Sequence, residues 1–401
     1  MVFSVRDALS GNRAGAALLR HMSTTIPRRS VRRTHAIAAF FALFSAASIL
    51  AASARAQDIV VTELRIPTHG SGKKGLEAVM VRPNDGAPHP LALMTHGTPR
   101  EAHDRDTMTP LRWIPQAREF ARRGWTAVIV MRRGFGDSGG SYEEDGHACS
   151  RTPNFTGPTK EAVKDLRESA AYLRTRAEID PSRMIAVGVS TGGLAMVGLS
   201  ADPPPGLVAA ISFAGGRGSK SPDNVCNADV LIDAFGEFGK RSKVPMLWIY
   251  STNDHFFGPQ LAQNFYREFT RAGGHAQFIA APPFGEDGHA LFSLRGIPIW
   301  APMVDEFLKS QNLVLRQTLL PIPIPAVEPP AYLSADARAE FQTYLLSAPH
   351  KAFAASPVKG FGMGVGRRTH EEAEKAALDN CNKFAPKTNP CAIIMLDDAR
   401  H

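Results

Sequence analysis

Residues 184–201 read MIAVGVSTGGLAMVGLSA, and the way this stretch folds decides the architecture. Met184 to Val189 is a short apolar run suited to a buried strand. Thr191 to Ala201 is apolar all round, as a buried helix is. Between them Gly188-Val189-Ser190-Thr191-Gly192 leaves no length for a loop, so the strand must turn sharply into the helix. Small neighbours let the backbone pass through such a turn, and the Ser190 hydroxyl is left exposed at its tip.

The pattern repeats outward from this point. Leu91 to Thr95, Thr126 to Met131, Leu207 to Phe213, Met246 to Tyr250 and Ala276 to Ala280 are further apolar runs, separated by amphipathic segments. Val163, Leu166, Ala170 and Leu173 lie three and four apart, as one face of a helix does. Strands alternating with helices predict an α/β fold with a mostly parallel sheet flanked by helices. Residues 57–315 are assigned to this domain. Pro321 to Pro330 (PIPIPAVEPP) stiffens the chain and cannot enter a central strand, so residues 316–333 are read as a linker. Residues 334–401 are expected to form a small α+β module: helix from Ser334 to Leu346, strand from Ala352 to Ala355, helix from His370 to Lys383 and strand from Ala392 to Leu396. Thr369 and Glu372 have the spacing of a capping box. The alternating glycines from Gly360 to Gly366 fit neither phosphate-loop pattern and are read as a turn or strand.

The chain of 401 residues carries a formal charge of +8. The segment from Met1 to Ala56 holds eight arginines and one acid, which leaves the body nearly neutral and argues against a nucleic-acid partner. Arginine pairs at 28–29 and 32–33, the apolar run Ala36 to Leu50 and the small residues Ala54-Arg55-Ala56 read as a secretory signal. That run is shorter than a membrane span, so a secreted or periplasmic protein with no stable span after cleavage is expected. Four cysteines, Cys149, Cys226, Cys381 and Cys391, follow the cleavage site; an even number in an exported chain favours disulfides, and no spacing supports a metal site. Of three connectivities, proximity in one module favours Cys381 with Cys391, leaving Cys149 with Cys226.

G-x-S-x-G occurs twice, around Ser138 and around Ser190. Roughly 0.2 chance matches are expected from average glycine and serine usage, so context must choose between them. Ser138, in Gly136-Asp137-Ser138-Gly139-Gly140, follows a strand without opening a helix, and of the histidines before it only His96 is a plausible base; a tight polar loop is expected there. Ser190 ends a strand and opens a helix, with the Thr191 N–H aimed at developing negative charge. A serine needs an imidazole, itself held by a carboxylate. Asp254 and His289 each follow a later strand, at the edge where open α/β sheets build their sites. The neighbours His255, Glu286 and Asp287 leave the choice of partner open in sequence alone. His147 is expected to be a solvated loop residue, and Trp113, Trp248 and Phe256 core residues.

Five motifs in register, His96-Gly97-Thr98, Arg133 to Gly139, Asp180-Pro181-Ser182-Arg183, the Ser190 turn, and the Asp254 and His289 loops, span residues 85–310. This region resembles the α/β-hydrolase superfamily, most closely its dienelactone-hydrolase-like esterase and peptidase branch. The resemblance implies Ser190 as nucleophile, His289 as base and then acid, Asp254 as its orienting partner, and the N–H groups of Thr98 and Thr191 as the oxyanion hole. Dienelactone hydrolases carry cysteine where this chain has Ser190, which favours ester hydrolysis through an acyl-serine without cofactor or metal. The substrate expected is a small-molecule or peptide-like ester or amide. A peptidase of the same fold and a catalytically silent binding protein are the alternatives. The C-terminal module resembles tails on exported bacterial hydrolases, which assigns it no activity.

Overall fold

The computed structural model describes residues 58–401; the segment read as an export signal lies outside them. Fourteen strands are described: β1 (Ile59–Ile66), β2 (Leu76–Pro83), β3 (His89–Thr95), β4 (Thr126–Val130), β5 (Ile179–Val189), β6 (Leu207–Phe213), β7 (Ser219–Ser221), β8 (Asn224–Val225), β9 (Met246–Ser251), β10 (Ala276–Ala281), β11 (Ala352–Ala355), β12 (Phe361–Gly364), β13 (Ala392–Leu396) and β14 (Ala399–Arg400). The helices are α1 (Ile114–Arg122), α2 (Thr156–Leu173), α3 (Thr191–Ala201), α4 (Ala228–Gly239), α5 (Pro259–Arg271), α6 (Ile297–Ser310), α7 (Ala335–Leu346) and α8 (His370–Asn382).

Eight strands form the main sheet in the order β1-β2-β4-β3-β5-β6-β9-β10. From β4 to β10 every pairing is parallel, whereas β1 and β2 join antiparallel at one edge. The central strands are buried on both faces, which explains why they read as continuous apolar runs rather than alternating ones. One face packs against α2, α3, α4 and α5 through residues such as Leu166, Leu194, Phe235 and Phe265. The other packs against α1 and α6 through Phe120, Trp300 and Phe307. Every residue of α3 is buried, as its uniform apolarity predicts.

The C-terminal segment forms a separate antiparallel sheet, β12-β11-β13-β14, covered by α7 and α8. The glycine alternation becomes β12, where a Cβ at Gly362 would lie 2.4 Å from the Cys381 backbone nitrogen and one at Gly364 2.2 Å from the Ala373 oxygen. Glycine here lets α8 lie directly on the strand. The expected capping box is half made: Thr369 accepts from the Glu372 N–H, but the Glu372 carboxylate turns to the Arg368 N–H instead. Arg368 reaches the main sheet, donating to both Glu77 carboxylate oxygens at 2.5 and 2.9 Å. Among the described residues no helix is long and apolar enough to cross a membrane.

Candidate active site

Strand β5 delivers Ser190 at its carboxyl end, where φ is 57° and ψ is −121°. A serine pays for such a backbone in strain, and the surroundings hold it there. Its N–H donates to the Phe213 oxygen at 2.9 Å, and its own carbonyl accepts from the Gly216 N–H at 3.1 Å, so the end of β6 and the loop after it grip the turn from both sides. The glycines are steric requirements: a Cβ at Gly188 would lie 2.2 Å from the Gly192 oxygen, and one at Gly192 2.4 Å from the His96 oxygen. Ser190 Oγ carries no hydrogen bond among the described residues. Neither do the N–H groups of Thr98 and Thr191 flanking it, the two positions expected for an oxyanion hole.

Asp254 follows β9 and is almost wholly buried. Its Oδ1 accepts from the N–H groups of Phe256 and Phe257 at 2.7 and 2.9 Å, which leaves Oδ2 for His289 Nδ1 at 3.0 Å. Asp287, one of the competing acids, is occupied differently: its Oδ1 accepts from the N–H groups of His255 and His289 at 3.0 and 2.9 Å, so it ties the two loops together. His255 pairs with Asp223 at 3.0 Å, and Glu286 is exposed. Phe256, expected in the core, instead stacks on the His289 ring at 3.9 Å with its other face under the Arg100 guanidinium at 3.6 Å.

Beneath the loop from His96 to Thr98 lies a buried cluster that sequence reasoning missed. Arg132, directly after β4, donates to both carboxylate oxygens of Glu144, and Arg217 donates to Glu144 Oε2 at 2.7 Å and to the Glu144 carbonyl at 2.5 Å. Burial would raise the Glu144 carboxyl, but the two guanidinium groups outweigh it and hold its pKa at about 2. His96 is fully buried; desolvation, then the Arg132 charge, push its pKa well below the ordinary value. Neutral His96 therefore donates from Nδ1 to the Gly97 oxygen at 2.7 Å and accepts at Nε2 from the Arg132 N–H at 3.1 Å. One positional signal existed: Arg132 sits at the carboxyl end of a predicted strand.

Ser138 has a structural part. Its Oγ donates to the Met131 oxygen at 2.6 Å and accepts from the Glu77 N–H at 2.9 Å, tying the loop after β4 to β2. His147 is exposed, beside Asp145. Disulfides link Cys149 to Cys226 and Cys381 to Cys391. The first joins the loop carrying Glu144 to the end of the β7–β8 hairpin, close after Arg217. Among the described residues no group of three or more His, Cys, Asp or Glu side chains is placed to hold a metal ion.

Residues 72–221, which include the Ser190 turn, match the family model of X-Pro dipeptidyl-peptidase (S15 family). The chain has the α/β-hydrolase fold. Solved structures similar to this hydrolase include a protein described as a dienelactone hydrolase from Klebsiella pneumoniae, with 18% identity over 63% of this chain and 99% of that one and a TM-score of 0.42. An esterase from Pyrococcus furiosus shows 16% identity over 63% of this chain and 90% of that one, with a TM-score of 0.43. An acylaminoacyl peptidase from Pyrococcus horikoshii shows 16% identity over 67% of this hydrolase and 43% of that chain, with a TM-score of 0.45. No curated protein matches the hydrolase by sequence.

Proposed function

We propose that this hydrolase is an exported serine esterase that cleaves carboxylic esters through an acyl-serine intermediate, with Ser190, His289 and Asp254 as its triad. The observation that carries the reading is the Asp254 Oδ2 to His289 Nδ1 contact of 3.0 Å, formed by residues 35 apart in sequence. A carboxylate there fixes the tautomer with the proton on Nδ1 and leaves Nε2 free as a base. Ser190 Oγ attacks the ester carbonyl carbon as its proton passes to His289 Nε2, and the carbonyl π electrons move onto oxygen. The N–H groups of Thr98 and Thr191 receive that oxyanion. Collapse expels the alcohol, which takes the proton from His289, and water attacks the acyl-serine by the same route in reverse. Substrate closes the Ser190 to His289 contact, as such contacts commonly tighten on binding.

Export is supported by the N-terminal charge and apolar pattern and by two disulfides in the mature chain. The division into a hydrolase domain over 57–315, a proline-rich linker and a module over 334–401 is part of the same proposal. A second reading has an observation of its own: the peptidase family model over residues 72–221 favours amide cleavage next to proline. Assay of the purified protein against short p-nitrophenyl esters and X-Pro anilides decides between them, with Ser190→Ala as control. Ester turnover should exceed anilide turnover and vanish in the variant. Anilide cleavage outpacing ester cleavage gives the peptidase reading; turnover surviving Ser190→Ala removes both.

A further inference from the structure

The Arg132 guanidinium is fully buried, and a buried donor without an acceptor is costly. Besides Glu144, it donates from Nη1 to Thr95 Oγ1 at 2.7 Å and to the His96 oxygen at 2.8 Å, and from Nη2 to Thr191 Oγ1 at 3.3 Å. A guanidinium has no lone pair to offer, so at this contact the Thr191 oxygen is the acceptor. Thr191 is itself buried and has one hydroxyl proton to place. Its one side-chain partner besides Arg132 among the described residues is Thr98 Oγ1, 2.8 Å away. Satisfying that proton makes Thr191 the donor and Thr98 the acceptor. The chain then runs in one direction, Arg132 to Thr191 to Thr98, and the Thr98 hydroxyl proton is its free end.

Thr98 makes no other side-chain hydrogen bond among the described residues and is half-buried rather than enclosed. It adjoins Gly97, where a Cβ would lie 3.3 Å from Ser190 Oγ, so the loop that carries the hydroxyl touches the proposed nucleophile. We infer that the Thr98 hydroxyl is a third donor to the oxyanion, beside the two backbone N–H groups, and that Arg132 and Thr191 are positioning residues that set its direction. The inference rests on Ser190 being the nucleophile. A hydroxyl aimed in advance at a developing charge needs no reorganisation when the charge appears, which is the condition for a large effect on rate. Glu144 keeps the guanidinium fixed, and Arg217 leaves the buried trio with a net positive charge under the loop.

Thr98→Val removes the hydroxyl while keeping the β-branched shape and the backbone N–H. The test measures kcat and KM on a p-nitrophenyl ester for the wild type, Thr98→Val, Thr98→Ser, Thr191→Val and Ser190→Ala. Thr98→Val should lower kcat at least about tenfold with KM changed less than about threefold, and Thr98→Ser should restore most of the loss. Thr191→Val, which leaves the Thr98 hydroxyl undirected, should also lower kcat rather than raise KM. A folded Thr98→Val with kcat within about twofold of wild type overturns the inference. So does an equal loss in Thr98→Ser. If Thr98→Val does not fold, Thr98→Ser and Thr191→Val decide: loss of kcat in the second but not the first supports the chain, and wild-type kcat in both overturns it. Turnover that survives Ser190→Ala marks failure of the nucleophile assignment instead.

Discussion

Gly97 lies so close to Ser190 that a Cβ at position 97 would sit 2.7 Å from the Ser190 Cβ. Ser190 cannot retreat, because the end of β6 holds its N–H, Gly216 in the following loop holds its carbonyl, and its φ is already 57°. Gly97→Ala must therefore push the His96 to Thr98 loop away from the serine. That displacement should lower kcat/KM at least about 100-fold, since a misplacement near 1 Å costs that much. It should also cost about 1 to 3 kcal/mol of stability as an overpacked contact. Ester kinetics with a denaturation curve check both; near-wild-type values in both would mean that the loop is free to move.

Asp254→Asn separates orientation from folding. Its Oδ1 can still accept from the Phe256 and Phe257 N–H groups, so the loop after β9 should keep its shape and the melting temperature should change little. With its oxygen held there, the amide turns its NH2 group to His289 Nδ1, and the tautomer with the proton on Nε2 leaves no base there. Turnover should fall by about 10⁴-fold. Activity within tenfold of wild type would point to Asp287 or another acid as the partner.

The two serine motifs should respond in opposite ways. Ser138→Ala removes the bonds to the Met131 oxygen and the Glu77 N–H, both buried, and should cost about 1 to 3 kcal/mol of stability while turnover per folded molecule stays within about threefold. Ser190→Ala should leave stability near wild type, or raise it, and abolish turnover. Urea unfolding and active-fraction kinetics on the pair reveal a reversal, if there is one.

How far sequence carried depends on whether a feature is local. The elbow was legible because strand, glycines and helix are contiguous from Met184 to Ala201, and the order Ser190, Asp254, His289 follows strand ends that apolar runs mark. The antiparallel edge of β1 and β2 was not, since β2 is buried like a parallel strand and only its pairing shows its direction. Arg132, Glu144 and Arg217 were invisible as a group: each looks like an ordinary surface charge, and the residues that bury them come from three separate loops. Phe256 reads as core by composition, yet its ring lies against His289 because the turn held by Asp254 places it there.

The Cys149 to Cys226 disulfide closes 77 residues and anchors the loop that brings in Glu144. Replacing both cysteines with alanine should lower stability by about 2 to 4 kcal/mol. Because Glu144 and Arg217 lie on the two segments it joins, kcat should fall as well, whereas removing the Cys381 to Cys391 bridge should cost stability without changing kcat. Equal effects on kcat from the two double variants would deny the first bridge a link to the site.

Acid sensitivity should begin at His96. Its folded pKa lies well below the ordinary 6.5, so below that pH the unfolded chain binds a proton that the folded one refuses. The stability contributed by neutral His96 is thus complete above pH 6.5 and is lost as pH falls below it. Glu144 acts in the same direction over a lower window: its pKa falls from 4.5 to about 2 on folding, so its contribution is present above pH 4.5 and fades toward pH 2. Melting temperature should accordingly be flat above about pH 7, decline as pH falls below about 6.5, and fall more steeply below about 4.5. His96→Gln can keep a donor to the Gly97 oxygen but has no proton to gain, so it should melt lower than wild type at pH 7 and lose the first decline while keeping the second. A wild-type curve flat down to about pH 5, or a variant curve parallel to it, would show that His96 is not the group behind the first decline.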